Sequence, residues 1–164
     1  MGSRVHAERL KRRGERLHGM LCLEMVGYTC GEPGCQGYPP LVKPLLGSQA
    51  RDVGDYIAIV GSTGSAALSR EVASSFRSNP ELPVLKLNLP LRGLFVPQVR
   101  QSDHSSFWDL GYSAVMITDT AYYRNPHYHR ATDRMETLDF EFMARLVESL
   151  VRFFSGYGRK EANP

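Results

Sequence analysis

A chain of 164 residues, 42% of them hydrophobic and 23% charged, is large enough for one folded domain and too apolar for a disordered one. The net charge of +3 does not by itself favour nucleic acid or a membrane surface as a partner. No apolar run approaches the ~18–20 residues of a membrane span, and the N-terminus lacks the apolar core of a signal peptide. We therefore expect a globular protein with no nucleic-acid and no membrane partner, in a compartment that the sequence leaves open.

The first part of the chain predicts a helix, a strand and a long loop. Helix-forming residues over 3–13 predict a helix, which ends at the glycines that follow. The apolar run over 20–28 has the length of a buried strand and holds one charged residue, Glu24. A loop rich in proline and glycine, 29–54, exceeds the usual length of a connection, which indicates a function or partial order.

The rest of the chain alternates strands and helices. Strands are predicted over 56–62, 83–89 and 113–120, and helices over 65–78, 102–111 and 138–154. Ser65 stands at the N-cap position of the first of these helices, and Gly111 ends the second. This alternation predicts an α/β fold, a three-layer sandwich in which helices cover a mostly parallel or mixed sheet. We divide the chain into a basic helical segment over 1–19, an α/β domain over 20–156 and a C-terminal tail over 157–164.

The three cysteines, Cys22, Cys30 and Cys35, include no C-x-x-C pair and so do not predict a zinc ribbon. Cys22 lies in an apolar run and is expected to be a small buried side chain. Cys30 and Cys35 bracket the turn Gly-Glu-Pro-Gly, which would bring them close enough for a disulfide if the protein is exported. In a reducing compartment two free thiols on a loop are the favoured interpretation.

Carboxylates and imidazoles follow or interrupt the predicted strands. They are Glu24 in the first strand, Asp103 and His104 after the third, and Asp119, His127, His129 and Asp133 after the fourth. Each alone is weak evidence, because a buried glutamate is often paired with an arginine and a loop histidine is usually solvated. Open α/β sheets place their chemistry at strand ends, and such side chains converging on one edge are what a metal site requires.

Two runs of this sequence resemble a known family. "GMLCLEMVGY" and "QSDHSSFWDLGYSAVMITDTAYYRNPHYHRATDRMETLDF" are similar to the C-terminal half of the zinc aminopeptidases of clan MH, two-zinc exopeptidases related to the glutaminyl cyclases. The resemblance implies that Glu24 holds one zinc ion and that His129, presented by extended chain after Tyr128, holds the other. It implies further that Asp103 and His104 line the site, next to Ser102, and that Tyr128 contacts the substrate or supports a metal ligand.

Two other residues of the second run have expected roles of a different kind. His127 is expected not to be a metal ligand. Asp133 is expected to hydrogen-bond the loop or to cap the helix that follows.

Several parts of the family's two-metal site have no counterpart in this sequence. The family uses a bridging Asp in a His-x-Asp element and a Glu-Glu pair that supplies one ligand and the general base. These elements precede the "LEMVGY" strand, and the nineteen residues before Met20 contain neither. We therefore expect the isolated chain to bind zinc weakly or not at all and to be inactive, either as a fragment of a longer peptidase or as a descendant that has lost catalysis.

Three functions remain open at this level. The first is a metallo-aminopeptidase half-domain whose parent removes N-terminal residues from peptides. The second is a non-catalytic α/β interaction module. The third, ranked last, is nucleic-acid binding through the basic residues between Arg4 and Arg16, which no stacking aromatic residues accompany. As partners we expect either self-association or a missing N-terminal half.

Overall fold

The protein was analysed as a computed structural model, which describes residues 2–161 and the side chains of residues 2–156. Its elements in chain order are α1 (Gly2–Arg12), β1 (Met20–Leu23), α2 (Val42–Leu46), β2 (Ile57–Ser62), α3 (Ala66–Arg77), β3 (Val84–Leu89), α4 (His104–Asp109), β4 (Ala114–Thr118) and α5 (Phe140–Glu161). The strands form one open sheet in the order β1-β4-β2-β3. β1 runs parallel to β4, β2 runs parallel to β3, and β4 is antiparallel to β2.

Helices cover both faces of this sheet, because alternate residues of the strands point to opposite sides. In β2, Ile57 and Ile59 pack with the apolar side chains of α3 and α5. Ala58 and Val60 point to the other face, where α1, α2 and α4 pack. The predicted three-layer α/β sandwich with a mixed sheet is thus confirmed, and none of the helices within residues 2–161 is long and apolar enough to cross a membrane.

The first strand is shorter than the apolar run that predicted it. β1 ends at Leu23, because Met25 adopts a left-handed conformation with φ 53° and turns the chain out of the sheet. Glu24 therefore lies directly after the strand instead of inside it. Its backbone N–H still donates to the carbonyl of Ile117 at 3.0 Å, and the N–H of Asp119 donates to the carbonyl of Met25 at 2.6 Å, so the two segments stay joined just beyond the strands.

The ends of the chain differ from the divisions drawn from the sequence. α1 is not separate from the domain, because Ala7 and Leu10 are buried in the core on the α2 and α4 face. α5 continues to Glu161 and so takes up most of the expected tail, whereas residues 162–164 lie outside the described part of the chain.

Ser65 has the predicted position before α3 but a different contact. Its hydroxyl makes no capping bond to the helix. Instead it accepts a hydrogen bond from the backbone N–H of Ala114 at 3.0 Å and lies 3.1 Å from the hydroxyl of Ser62. The serine therefore ties the start of α3 to the start of β4. Gly111, with φ 85°, follows α4 as expected of a residue that ends a helix.

Candidate functional site

The C-terminal ends of β1 and β4 lie side by side, because these neighbouring strands are parallel. Glu24 follows β1, and Asp119 follows β4, so both carboxylates stand at the same end of the sheet. β3 runs in the opposite direction to both, which places its own C-terminal end at the far end of the sheet. The strand ends expected from the sequence at one edge therefore meet for β1 and β4, but the end of β3 lies at the opposite edge.

Glu24 is held by a short chain of hydrogen bonds. The hydroxyl of Ser102 donates to its Oε2 at 2.6 Å, and the buried thiol of Cys22 lies 3.2 Å from that hydroxyl. The carboxylate is half-buried. Ser102 thus fixes one oxygen of the carboxylate by a hydrogen bond, and this bond links two segments that are far apart in the sequence.

An apolar cavity lies beside Glu24, between the sheet and the long loop. Its walls come from the sheet face and from the loop with α2: Ala58, Val60, Leu85, Leu87, Met116, Thr118, Tyr38, Val42 and Leu46. Three tyrosines that follow β4 also line it: Tyr122, Tyr123 and Tyr128. The loop that the sequence singled out for its length therefore forms one side of a cavity. Apart from Glu24, none of the residues that line this cavity in the described part of the chain carries an acidic or basic side chain.

Asp119 fixes the segments around Glu24 through its buried carboxylate. Oδ2 accepts hydrogen bonds from the backbone N–H groups of Gly27 and Tyr28, at 3.0 and 2.8 Å. Oδ1 accepts from the N–H of Ala121 at 2.9 Å. Burial raises the pKa of Asp119, and these hydrogen bonds together with Arg124 oppose that rise.

Arg124 is buried next to Asp119 and connects four segments of the chain. Its Nε donates to Gln36 at 2.9 Å, and its Nη1 donates to the carbonyls of Tyr28 and Tyr56 at 3.2 and 3.0 Å. Gly54 has to be a glycine, because a Cβ there would lie 2.4 Å from the Nε of Arg124. No pattern in the sequence singles out Arg124, since an arginine in a loop is usually solvated.

The long loop is closed by a disulfide between Cys30 and Cys35. The free thiols that the sequence favoured for a reducing compartment are thus not what the structure has. The disulfide is the arrangement expected if the protein is exported. The turn that joins the two cysteines is tight, because Gly34 adopts φ 81° and the N–H of Cys35 donates to the carbonyl of Glu32 at 3.1 Å. Cys22 is free and buried, as expected.

His129 lies on a turn and not on extended chain, which corrects the prediction of its backbone. Its φ is 56°, and the N–H of Arg130 donates back to the carbonyl of His127 at 2.9 Å. The ring of His129 is exposed and stacks on Tyr128, with centroids 3.9 Å apart. Tyr128 itself lines the cavity together with Glu24. The predicted place of Tyr128 beside the substrate is therefore compatible with the structure. The metal role of His129 stays a prediction.

His104 and Asp103 do not line the cavity, contrary to the expectation drawn from the resemblance. His104 is fully buried, its Nε2 donates to the carbonyl of Val99 at 2.8 Å, and its ring packs edge-on against Trp108. Burial lowers its pKa to about 4, so the imidazole is neutral at pH 7. Asp103 is exposed at the start of α4. The segment after β3 returns along the sheet, and it is Ser102 that reaches Glu24.

Asp133 does not cap the helix that follows it. The residue is exposed, seven residues before the first residue of α5, and the N-cap position is taken by Asp139. Oδ1 of Asp139 accepts from the N–H of Phe142 at 2.9 Å, and its Oδ2 accepts from the hydroxyl of Thr29 at 2.7 Å. An aspartate directly before a helical apolar pattern is a recognisable N-cap signal, so this residue was available to sequence reasoning.

The described residues do not by themselves fit a zinc ion. A catalytic zinc has about three protein ligands. No group of three or more His, Cys, Asp or Glu side chains within residues 2–156 is placed to hold a metal. Glu24 and His129 would offer one ligand each, so further ligands would have to come from outside these residues.

Comparison with known proteins gives the fold a context. No protein-family model matches the chain. It is 38% identical over 151 residues to the uncharacterized protein YfbL of Escherichia coli K12, an alignment that covers 92% of this chain and 44% of YfbL. Its fold is similar to that of LapA aminopeptidase from Legionella pneumophila, with a TM-score of 0.62 and 17% identity over 93% of this chain and 34% of LapA.

LapB from the same organism gives a TM-score of 0.65 and 16% identity over 96% of this chain and 36% of LapB. The chain therefore spans less than half the length of each of these relatives. The two solved structures establish an aminopeptidase-like fold.

Proposed function

We propose that this chain is the substrate-binding part of a zinc-dependent aminopeptidase domain, to which Glu24 and His129 contribute one metal ligand each. The observation that carries the proposal is a half-buried carboxylate at the edge of an apolar cavity, at the ends of two parallel strands. The aminopeptidase-like fold and the residues that resemble the clan MH enzymes support it.

The cavity favours a peptide whose N-terminal residue has an apolar side chain. Its walls are mostly aliphatic and aromatic with a few uncharged polar side chains such as Gln98 and Gln101, and Glu24 supplies the carboxylate among the described lining residues. An apolar side chain bound there gains from leaving water, while a charged one loses its hydration without an opposite charge deep in the cavity. Tyr122 and Tyr128 offer aromatic surface at the side where β4 ends.

The chain's own contribution is to bind and orient, and we derive no catalytic step through a metal. Ser102 fixes Oε2 of Glu24, and Asp119 with Arg124 holds the backbone on both sides of the cavity. Zinc ligands and a general base would have to be supplied by a further polypeptide segment, which relatives such as YfbL are long enough to contain.

The test uses YfbL as the acceptor. The part of YfbL that aligns with this chain is replaced by the chain, and zinc content and release of aminoacyl-anilides are measured for YfbL and for the chimera. We expect zinc-dependent activity in both, and loss of at least a hundredfold in the chimera with Glu24→Gln or His129→Ala, because each removes a metal ligand. The isolated chain with added zinc is expected to show no turnover above buffer.

The control is His127→Ala, which changes a neighbouring imidazole that is expected not to bind metal. Active YfbL with a folded but inactive chimera would contradict the proposal. So would full activity of the Glu24→Gln chimera, which would leave the non-catalytic interaction module as the better function.

A further inference from the structure

Two loops that are distant in sequence form an exposed apolar surface at the far end of the sheet. We call it the loop patch: Leu41, Leu45, Leu91, Leu94 and Phe95. Each of these side chains is between 56% and 67% exposed. Leu41, Leu45 and Phe95 line a single shallow depression together with Pro44 and Pro90, so the segment around α2 and the loop after β3 lie side by side there. A concentration of large exposed side chains of this kind marks an interaction site in most proteins.

The backbone holds these side chains outward in a strained conformation. Leu91 and Arg92 have φ of 48° and 56°, and Gly93 follows with φ 72°, which makes three consecutive left-handed residues. Leu41 has φ 70°. A left-handed conformation costs about 1–2 kcal/mol for each residue with a side chain. Strain of this kind persists where the surrounding structure imposes it, and it clusters at sites with a function.

Basic side chains predominate around the loop patch, although Asp109 lies beside Arg92, whose Nη1 donates to the backbone carbonyl of Asp109 at 3.3 Å. Neither 38–50 nor 89–102 contains an aspartate or a glutamate. Lys43 and Arg92 are exposed beside the leucines, and neither forms an ion pair with an acidic side chain among the described residues. Arg100, by contrast, is paired with Asp109 at 2.7 Å. Apolar side chains next to unpaired basic residues suit a surface that is negatively charged outside and apolar beneath.

We propose that the loop patch docks this protein on an anionic lipid bilayer. Leu94 and Phe95 enter the boundary between head groups and acyl chains, while Lys43 and Arg92 contact the phosphates, as in other interfacial binding surfaces. The patch follows β3, whose C-terminal end is opposite to that of β1. Glu24 and its side of the cavity therefore face away from the membrane and stay open to a peptide.

This inference departs from the absence of a membrane partner expected from the sequence. That expectation was based on the lack of a long apolar run, and an interfacial surface needs no such run. The two loops are separated by about 50 residues and meet only in the folded protein. The proposal is also independent of the peptidase function, because it involves neither Glu24 nor any predicted metal ligand.

The experiment is sedimentation of the full chain with vesicles. One set of vesicles is phosphatidylcholine alone, and the other contains equal parts of phosphatidylcholine and phosphatidylglycerol. We expect binding to the mixed vesicles, and a decrease of roughly tenfold or more in the partition coefficient for the double variant Leu94→Ser, Phe95→Ser. Its matched control is Val5→Ser, Met135→Ser, two apolar residues outside the loop patch and outside α5 that are 46% and 66% exposed, with which binding should be unchanged.

A second variant separates the charge from the apolar contact. Lys43→Gln with Arg92→Gln should lower binding to the mixed vesicles by about fivefold for each charge removed, and should leave binding to neutral vesicles unaltered. Raising the salt concentration should have the same effect as this variant. Circular dichroism checks that each variant is folded, which we expect because all of these side chains are exposed.

Three results would overturn the proposal. The first is no sedimentation of the native chain with the mixed vesicles. The second is equal loss of binding in the Val5→Ser, Met135→Ser control, which would indicate nonspecific adsorption. The third is a stable dimer in solution that the Leu94→Ser, Phe95→Ser variant dissociates, because the loop patch would then be a protein interface.

Discussion

At the scale of single residues, buried ionisable groups organise the region around Glu24. Asp119 and Arg124 are 1% and 4% exposed, and together they hold backbone groups of three segments. His104 is equally buried, but it packs on Trp108 outside the cavity. Replacing Arg124 therefore tests how the site keeps its shape, whereas replacing His104 tests how folding stability depends on pH.

Replacement of Arg124 by methionine should lower the free energy of unfolding by about 3–5 kcal/mol. The change leaves the carboxylate of Asp119 without its nearby positive charge and the carbonyls of Tyr28 and Tyr56 without a donor. Urea unfolding measures the loss. The control is Arg130→Met, an exposed residue six positions further on, for which the free energy should stay within about 0.5 kcal/mol. Equal effects of both changes would contradict this role of Arg124.

His104 should make the protein less stable in acid. Its pKa is about 4 in the folded protein and 6.5 in the unfolded chain, so between these values the unfolded state binds more protons. Stability from this residue is therefore complete above about pH 6.5 and is lost as the pH falls toward 4, by roughly 3 kcal/mol at about 1.4 kcal/mol per pKa unit.

Urea unfolding of the native chain and of His104→Gln between these pH values isolates that contribution. The raised pKa of Asp119 acts in the opposite direction, but it is common to both proteins and cancels in the comparison. The glutamine variant should have the flatter pH dependence. Parallel curves would show that His104 does not titrate differently in the two states.

At the scale of elements, α5 has one side in the core and one side in solvent, and the long loop both lines the cavity and carries the disulfide. Phe142 and Leu146 of α5 pack into the core, whereas Val147, Val151 and Phe154 are more than half exposed on the same helix. The long loop lines the cavity from within through Tyr38 and α2, and it is tied at its start by the disulfide. Loss of the disulfide should therefore affect the loop before the sheet.

Thiol counting tests the disulfide directly. In chain purified without reductant we expect no fast-reacting thiol in the native state and one in urea, because Cys22 is buried beside Ser102. A reductant should raise the count to three, which is the number of cysteines. The double variant Cys30→Ser, Cys35→Ser should be less stable by about 2 kcal/mol. Two fast-reacting thiols in the native chain would mean that the bond is absent in solution.

At the scale of the whole molecule, the sheet ends in two edge strands among the described residues, β1 and β3. β1 is an edge strand with β4 on one side and no strand on the other among the described residues. α5 lies over this half of the sheet, since Met143 contacts Gly27 after β1, and α3 contacts β2 and β3. The open edge and the exposed apolar side of α5 are the kind of surface on which chains associate.

We expect the isolated chain to self-associate at micromolar concentration. Burial of the exposed apolar side chains and pairing of the β1 edge both favour this, and light scattering over a concentration series measures it. Val147→Glu with Val151→Glu should reduce the average mass, because association would bury two charges per chain. Leu94→Glu at the loop patch is the control and should not reduce it. A stable monomer at high micromolar concentration would contradict the expectation.

The sequence by itself determined the elements and the composition of their faces. Alternation in 83–89 predicts β3, where Leu85, Leu87 and Leu89 are indeed buried on one side. Glu24 likewise could be singled out, because one charge in an apolar run has to lie at an end or find a partner. These properties depend on residues that are close in sequence, and burial repeats with the period of the strand or helix.

The tertiary structure alone decided which of the singled-out residues meet. Asp103 and His104 follow a strand just as Asp119 does, yet β3 runs antiparallel to β4 by way of β2, so Ser102 and not its neighbours reaches Glu24. The contacts that decide this join distant segments: Ser102 with Glu24, and Arg124 with Tyr28, are about 80 to 100 residues apart. Strand direction and the burial of Arg124 depend on contacts of this kind. Such contacts leave no periodic pattern in the sequence, because each is a single pair of side chains fixed by the packing of the whole domain.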